Sequence, residues 1–232
     1  MNFLILAAFA PELEPLRGMA EREPLLRAGS AGTGIRFEEV GVGIASAAAN
    51  TARLIAELRP AHVVFVGSIG TTDQNIPLLQ LVSANSIEMV DAAIVEGSAY
   101  LPSICPTEYL ADEPMMHRLS ESCPERLLMA KCYSPISITS KAELGLRYAR
   151  ATQAHFENLE LFGVAAACAA HQTPWNSICA VTNYVGEQGH EQWKEHHEEA
   201  ATYTARSLVA CLEAIEARPE TDTPLRANNQ RP

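Results

Sequence analysis

Acidic and amide side chains stand beside apolar runs that are typical of buried strands. Glu12 follows the run FLILAAF, Asn183 follows the run SICAV, and Glu157 and Glu160 open an apolar, alanine-rich segment. A carboxylate near a strand end can act as a base on a water molecule. A carboxylate in apolar surroundings needs a partner, and two vicinal sugar hydroxyls can donate to it together. These residue types therefore suit acid–base chemistry on a hydroxylated small molecule.

Each of these side chains also has an ordinary structural interpretation. Glu12, Glu157 and Glu160 can be acids in the first turn of a helix, where the helix dipole favours negative charge. Asn183 can make a local side-chain hydrogen bond in a turn. From the residues alone, both interpretations stay open.

The segment GSIG at 67–70 directly follows the apolar run HVVFV. This order predicts a strand that ends in a glycine turn, whose backbone N–H groups can line a ligand. Ser68 lies in no GxSxG motif and has no obvious His and Asp partners, so a serine-nucleophile site is not indicated. The segment GVG at 41–43 does not complete GxGxxG.

Metal ligands are not indicated. The six cysteines form no CxxC pair, which argues against zinc and fits free thiols in a reducing cytoplasm. The three histidines of HEQWKEHHEEA lie among acids without an HExxH motif, which favours a solvated helix face: His190, His196 and His197. We expect no metal and no cofactor.

Composition limits the classes of partner. The chain has 232 residues with a net charge of −11, which argues against a nucleic-acid partner. No apolar run approaches the ~20 residues of a membrane span, so no membrane partner is expected. The opening MNFLILAAFAPE lacks a basic start and is interpreted as a first strand rather than a signal peptide.

Strands and helices alternate along the chain, which predicts an α/β fold. We expect a three-layer α/β/α arrangement with a central twisted mixed sheet, in a single domain over 1–216 and a disordered tail over 217–232. Ligands of such sheets bind beyond the carboxyl ends of strands. The predicted strands are 3–9, 62–66 and 177–181, with 79–83 and 92–95 as further candidates. The predicted helices are 43–58, 142–151, 156–170 and 195–217, with a hairpin over 21–37 and an irregular excursion with a short helix over 101–127.

Taken in order, these segments resemble the nucleoside phosphorylase and nucleosidase superfamily over most of residues 2–212. FLILAAFAPELEPL is similar to the first strand and catalytic-glutamate segment of methylthioadenosine/adenosylhomocysteine nucleosidases. VVFVGSIG resembles their strand ending in Gly-Ser-Ala-Gly, and FENLELFGVAAAC resembles their Val-Glu-Met-Glu-Ala helix start. AVTNYVGEQGHEQW stands where those enzymes carry Ser-Asp and is closer to futalosine hydrolases of the alternative menaquinone pathway.

The resemblance implies a role for each matched residue. Glu12 would activate the attacking water. Glu160 would hold the ribose 2′- and 3′-hydroxyls, with Leu159 packed on the sugar. Ser68 and Ile69 would line the nucleoside pocket, and the segment 137–139 would border the base.

Asn183 would face the purine. Adenine presents an amino donor at position 6, which an aspartate accepts, whereas hypoxanthine presents an oxygen that an aspartate repels. An asparagine offers its NH₂ group to O6 and its carbonyl to the N7–H that forms as the base leaves. Asn183 therefore favours a 6-oxopurine nucleoside.

The leading hypothesis is a cytoplasmic hydrolase of the N-glycosidic bond that releases hypoxanthine from futalosine. A phosphorylase would need a phosphate clamp, but Arg17 is the only arginine near the first strand and the Glu12 carboxylate would repel phosphate. The alternatives are a purine nucleoside phosphorylase, an adenosine-type nucleosidase and a non-catalytic nucleoside-binding protein. The resemblance further implies a small-molecule nucleoside as partner and a homodimer or higher homo-oligomer.

Overall fold

A mixed sheet of eight strands runs through the protein in a computed structural model that describes residues 2–22, 26 and 34–217. The strands are β1 Asn2–Ala7, β2 Gly34–Glu39, β3 His62–Thr71, β4 Leu81–Val90, β5 Glu108–Leu110, β6 Leu127–Pro135, β7 Phe156–Glu157 and β8 Trp175–Tyr184. The helices are α1 Ala10–Ala20, α2 Ile44–Leu58, α3 Ala92–Val95, α4 Glu113–Ser122, α5 Ala142–Thr152, α6 Leu161–Ala170 and α7 Gly189–Ala217.

Strand β3 is the branch point of the sheet. Its first four residues pair in parallel with β1, and all of it after His62 pairs in parallel with β8. Its last two residues pair antiparallel with β7. Strand β8 continues to β4, β4 to β6, and β6 to β7. Strands β3, β8, β4, β6 and β7 therefore close into a ring, and β1 and β2 extend the sheet beyond it.

Helices cover the two faces of the sheet. Along β1, Phe3 and Ile5 face one core cluster, whereas Leu4 and Leu6 face the other, as the period of two along a strand requires. The first cluster takes residues from α1 and α7: Leu13, Leu16, Leu208 and Leu212. The second takes residues from α2 and α6: Leu54, Ile55, Leu161 and Val164. The prediction of an α/β fold with a covered mixed sheet is confirmed.

Two local predictions near the site were wrong. The segment GSIG at 67–70 does not form a turn, because it continues β3 and pairs with β8. The helix expected over 156–170 begins only at Leu161, since Phe156 and Glu157 form β7. Glu157 therefore lies on a strand, and Glu160 lies at the N-cap of α6.

Other boundaries also differ from the sequence predictions. Residues 92–95 form α3 rather than a strand, because the Asp91 carboxylate accepts hydrogen bonds from the first backbone N–H groups of the helix. Strand β4 runs well beyond the expected 79–83, and β6 was not predicted. The hairpin predicted over 21–37 falls mostly outside the described residues, and its last four residues belong to β2, which pairs in parallel with β1. Residues 23–25, 27–33 and 218–232 lie outside the described residues, so the tail expected over 217–232 lies outside them except for Ala217, which ends α7.

Candidate active site

Glu12 is a buried carboxylate in the first turn of α1, beside β3. The helix begins there because Phe9 is extended and Pro11 follows within the first helical positions. Glu12 is 5% exposed, and its Oε1 accepts hydrogen bonds from the Ser68 N–H at 2.9 Å and the Ser68 hydroxyl at 3.1 Å. Its Oε2 accepts from the Ala8 N–H at 3.1 Å. The residue that follows β1 and a residue of β3 thus hold the two oxygens of the carboxylate.

Burial raises the pKa of Glu12 to about 7. The hydrogen bonds from Ser68 and Ala8 oppose this rise in pKa, and the negative charge of Glu160 adds to it. A carboxyl group with a pKa near neutral pH is suited to general-base catalysis, because it ionises at working pH and still binds a proton well. A Cβ atom at position 67 would lie 2.8 Å from Glu12 Oε1, so the glycine there makes room for the carboxylate.

Glu160 is the second buried carboxylate of the site. It is 6% exposed, and its Oε1 accepts a hydrogen bond of 2.9 Å from the N–H of Gly43, just before α2. Gly43 has a φ of 86°, a region that favours glycine. Burial raises the pKa of Glu160, and the Gly43 amide opposes that rise. The carboxylate therefore lies between the starts of α2 and α6.

Asn158 links the two carboxylates and was not singled out from the sequence. Its Nδ2 donates to the carbonyl of Ser68 at 3.0 Å. Its Oδ1 accepts from the N–H groups of Glu160 at 2.9 Å and Leu161 at 2.7 Å, as a capping side chain does. The signal was present in the sequence, since an asparagine shortly before an apolar helical segment is a typical N-terminal cap.

Asn183 lies on β8, within the strand rather than in a turn after it. It pairs with Gly70 of β3, next to a register shift between Ile69 and Gly70. The Thr182 hydroxyl donates to Asn183 Oδ1 at 2.8 Å. The Asn183 Nδ2 lies so close to Gly70 and Gly189 that a Cβ at these positions would be 3.0 and 3.2 Å from it.

The chain matches a known protein family by its sequence: the family model of the phosphorylase superfamily covers residues 5–213. The chain belongs to the phosphorylase superfamily.

Two relatives within this superfamily are 5′-methylthioadenosine/S-adenosylhomocysteine nucleosidases. The one from Geobacillus thermodenitrificans is 24% identical over 234 residues, which cover 94% of this chain and 99% of the relative. The one from Chromohalobacter salexigens is 25% identical over 228 residues, which cover 91% of this chain and 96% of the relative.

Solved structures of superfamily members share the fold. The futalosine hydrolase of Helicobacter pylori superposes with a TM-score of 0.80 at 15% identity and covers 91% of this chain and 97% of its own. The 5′-methylthioadenosine/S-adenosylhomocysteine nucleosidase of Neisseria meningitidis, in complex with methylthio-immucillin-A, gives a TM-score of 0.78 at 20% identity, with coverage of 91% and 98%.

The remaining residues that the superfamily resemblance singled out occupy different surroundings. Ser68 is half-buried and contacts Glu12 directly, and Leu159 is half-buried beside Glu160. Ile69 is 2% exposed and packs in the core cluster on the α2 and α6 face. In the segment 137–139, the N–H of Thr139 donates to Glu157 Oε1 at 3.1 Å.

Trp193 also reaches the candidate site, although it lies just before the helix predicted over 195–217. Helix α7 begins at Gly189, and the Trp193 Nε1–H donates to the Ser68 hydroxyl oxygen at 3.3 Å. Its ring packs near Phe9, with ring centroids 6.0 Å apart, and stacks on His190 and His197. The solvated helix face that was expected for the histidines is found only in part. His190 is exposed to solvent, but its ring stacks on the indole of Trp193.

Within residues 2–22, 26 and 34–217, no three or more His, Cys, Asp and Glu side chains are grouped as a metal site would require. Over the same residues, no helix has the length and apolar character needed to cross a membrane.

Proposed function

We propose that the protein is a purine nucleosidase that hydrolyses the N-glycosidic bond of its substrate. The observation that carries the proposal is the buried Glu12 carboxylate, with a pKa of about 7 and hydrogen bonds that fix both of its oxygens. Asn158 connects the two acids, because it bonds to the Ser68 carbonyl and to the Glu160 N–H while Ser68 donates to Glu12. One nucleoside would therefore meet both carboxylates. The names of the relatives support the same reaction class.

The mechanism follows from the two carboxylates. Glu12 accepts a proton from a water molecule whose oxygen forms the new bond to C1′ of the ribose. The bond between C1′ and the purine N9 breaks, and its electron pair leaves with the base, which takes a proton at N7 through water. Glu160 accepts hydrogen bonds from the ribose 2′- and 3′-hydroxyls. Its negative charge also stabilises the oxocarbenium-like transition state that such reactions pass through.

The base specificity that we propose rests on Asn183. Because the Thr182 hydroxyl donates to Asn183 Oδ1, the side-chain amide is oriented with Nδ2 as its donor. A donor at this place matches the O6 atom of hypoxanthine and leaves the amino group of adenine without an acceptor. We therefore propose a 6-oxopurine nucleoside as substrate, with futalosine the leading candidate and hypoxanthine the released base. That reaction belongs to menaquinone biosynthesis by the futalosine route.

An adenine nucleosidase is the second candidate function. The observation that favours it is the name of both curated relatives, which are 5′-methylthioadenosine/S-adenosylhomocysteine nucleosidases. Phosphorolysis is less favoured, because Arg17 forms an exposed ion pair of 3.0 Å with Glu39 and the Glu12 carboxylate occupies the strand end where phosphate would bind. A homo-oligomeric, cytoplasmic enzyme with a single domain completes the proposal.

The test measures kcat/KM for futalosine and its 6-amino analogue, with and without phosphate, in the wild type and in Asn183→Asp. We expect the wild type to prefer futalosine and Asn183→Asp to narrow or invert that preference, since a buried site leaves polar groups unpaired with the wrong substituent. An equal ratio in both proteins would show that Asn183 does not read the base. Ribose-1-phosphate that increases with added phosphate would reject hydrolysis.

A further inference from the structure

A chain of hydrogen bonds runs from α7 to Glu12. The Trp193 Nε1–H donates to Ser68 Oγ at 3.3 Å, and the Ser68 hydroxyl donates to Glu12 Oε1 at 3.1 Å. The Ser68 N–H donates to the same carboxylate oxygen at 2.9 Å. Three elements, α7, β3 and α1, are therefore connected through Ser68 to one oxygen of the proposed base.

The direction of this chain is determined by the chemistry of the indole. The indole N–H is a donor only, so Ser68 Oγ must be the acceptor of the Trp193 bond. A hydroxyl that accepts on this side directs its single hydrogen elsewhere, and Glu12 Oε1 lies within reach of it. Without the indole, the Ser68 hydroxyl can rotate to other acceptors, including water or the substrate.

We propose that Trp193 is a positioning residue that holds the Ser68 hydroxyl in the orientation that donates to Glu12. The proposal rests on the proposed function, in which Glu12 is the base. A hydrogen bond to the ionised carboxylate favours the ionised form, so the indole extends the pH range of activity toward acid. The side chain that does so lies on α7, far along the chain from Glu12.

Other titratable groups lie near these hydrogen bonds, and their effects on the pH dependence must be distinguished from the effect of Trp193. Glu160 at the start of α6 raises the pKa of Glu12 through its charge. Cys179 on β8 is buried, and burial raises its pKa well above the usual range, so the thiol stays neutral. On α7 itself, His190 and His197 stack on the indole, with ring centroids 5.8 and 4.6 Å from it.

The test compares the pH dependence of kcat/KM in the wild type, Trp193→Phe, Ser68→Ala and the double variant. Phenylalanine keeps an aromatic ring between Phe9 and His197 but cannot donate. We expect Trp193→Phe to move the acid limb to higher pH by roughly half a unit. Ser68→Ala should move it at least as far, and the double variant should match Ser68→Ala. No shift in Trp193→Phe, or shifts that add in the double variant, would overturn the proposal.

A second measurement does not need turnover. Fluorescence of Trp193, followed against pH in a Trp175→Phe background, should show a transition near pH 7, where Glu12 titrates. Glu12→Gln and Ser68→Ala should each abolish the transition, and His197→Gln should retain it. A transition that persists in Glu12→Gln and disappears in His197→Gln would assign it to the histidine and overturn the proposal. Absence of base release from every nucleoside, with the transition intact, would instead reject the proposed function.

Discussion

At the scale of single residues, the site consists of carboxylates that are buried and held by backbone N–H groups. Glu12 accepts from Ala8 and Ser68, and Glu160 accepts from Gly43. Burial raises the pKa of both carboxyls, and these amides limit the rise. Each carboxylate therefore keeps a fixed position while remaining able to exchange a proton or accept from a ligand.

Replacement of Glu12 by glutamine tests its role as the base. The amide keeps the shape of the side chain but cannot accept the proton from water, so turnover should fall by about 10²–10⁴. Binding of nucleoside should persist, as measured by calorimetry. If Glu12→Gln kept nearly the wild-type rate, Glu12 would be a structural acid in the first turn of α1 and not the base.

Replacement of Glu160 by glutamine should lower the pKa of Glu12. The charge of Glu160 contributes to the raised pKa of Glu12, so its removal moves the acid limb of kcat/KM toward lower pH. Ribosides should also lose more affinity than 2′-deoxyribosides, because the charge-assisted bonds to the sugar hydroxyls are weakened. Glu157→Gln is the matched control, since this carboxylate is also buried but is not among the main influences on the pKa of Glu12. If the acid limb of kcat/KM lay at the same pH in Glu160→Gln and the wild type, the charge of Glu160 would not influence the pKa of Glu12.

At the scale of elements, the sequence predicted the strands and helices that have a clear hydrophobic period or a long apolar run. The alanine-rich helix α2, the buried β1 and most of α7 follow from them. Strand β6 was not predicted because Lys131 interrupts its apolar pattern, and that ammonium group is satisfied by Glu88 at 2.7 Å and Glu108 at 3.1 Å. The hydrogen bond from Trp193 to Ser68 was also missed, because a partner far along the chain has no signature in the local sequence.

The contact between α2 and α6 should tolerate no added atom at Gly163. A Cβ there would lie 2.3 Å from the carbonyl oxygen of Ile44 and 2.9 Å from the Ala48 nitrogen, so backbone must move. We expect Gly163→Ala to lower the free energy of unfolding by about 1–3 kcal/mol or more, measured by urea denaturation. It should also weaken the bond from Gly43 to Glu160, since Gly43 precedes Ile44.

Gly18→Ala is the matched control for Gly163→Ala. Gly18 is exposed within α1, and a Cβ there meets no atom within 4 Å. Alanine at this position should leave stability unchanged or raise it by about 0.5–1 kcal/mol, because glycine is costly inside a helix. Equal effects of the two substitutions would contradict the close packing of α2 on α6.

At the scale of the whole molecule, stability should depend on pH through the buried carboxyls. The folded protein binds a proton at Glu12 up to about pH 7, whereas the unfolded chain releases it near the usual value of 4.5. The pKa values of Glu157 and Glu160 are raised as well, also by burial. The free energy of unfolding should therefore fall as pH rises from about 4.5 to about 7, by roughly 3 kcal/mol for Glu12 alone.

Urea denaturation at a series of pH values checks this dependence. Glu12→Gln should flatten the curve between pH 5 and about pH 7, because the amide does not titrate. Glu14→Gln, on the exposed side of the same helix, controls for the loss of one charge. A free energy of unfolding that rises between pH 5 and about pH 7 would show that these buried acids are not protonated in the folded protein.

The use of backbone amides to hold the carboxylates has an evolutionary consequence. Every residue type except proline supplies an N–H group, so positions 8, 43 and 68 can change side chain and still donate to Glu12 or Glu160. Other requirements apply at Gly43, where φ is positive, and at Ser68, where the hydroxyl contributes. Lineages can therefore drift far apart in sequence and still inherit the placement of both acids.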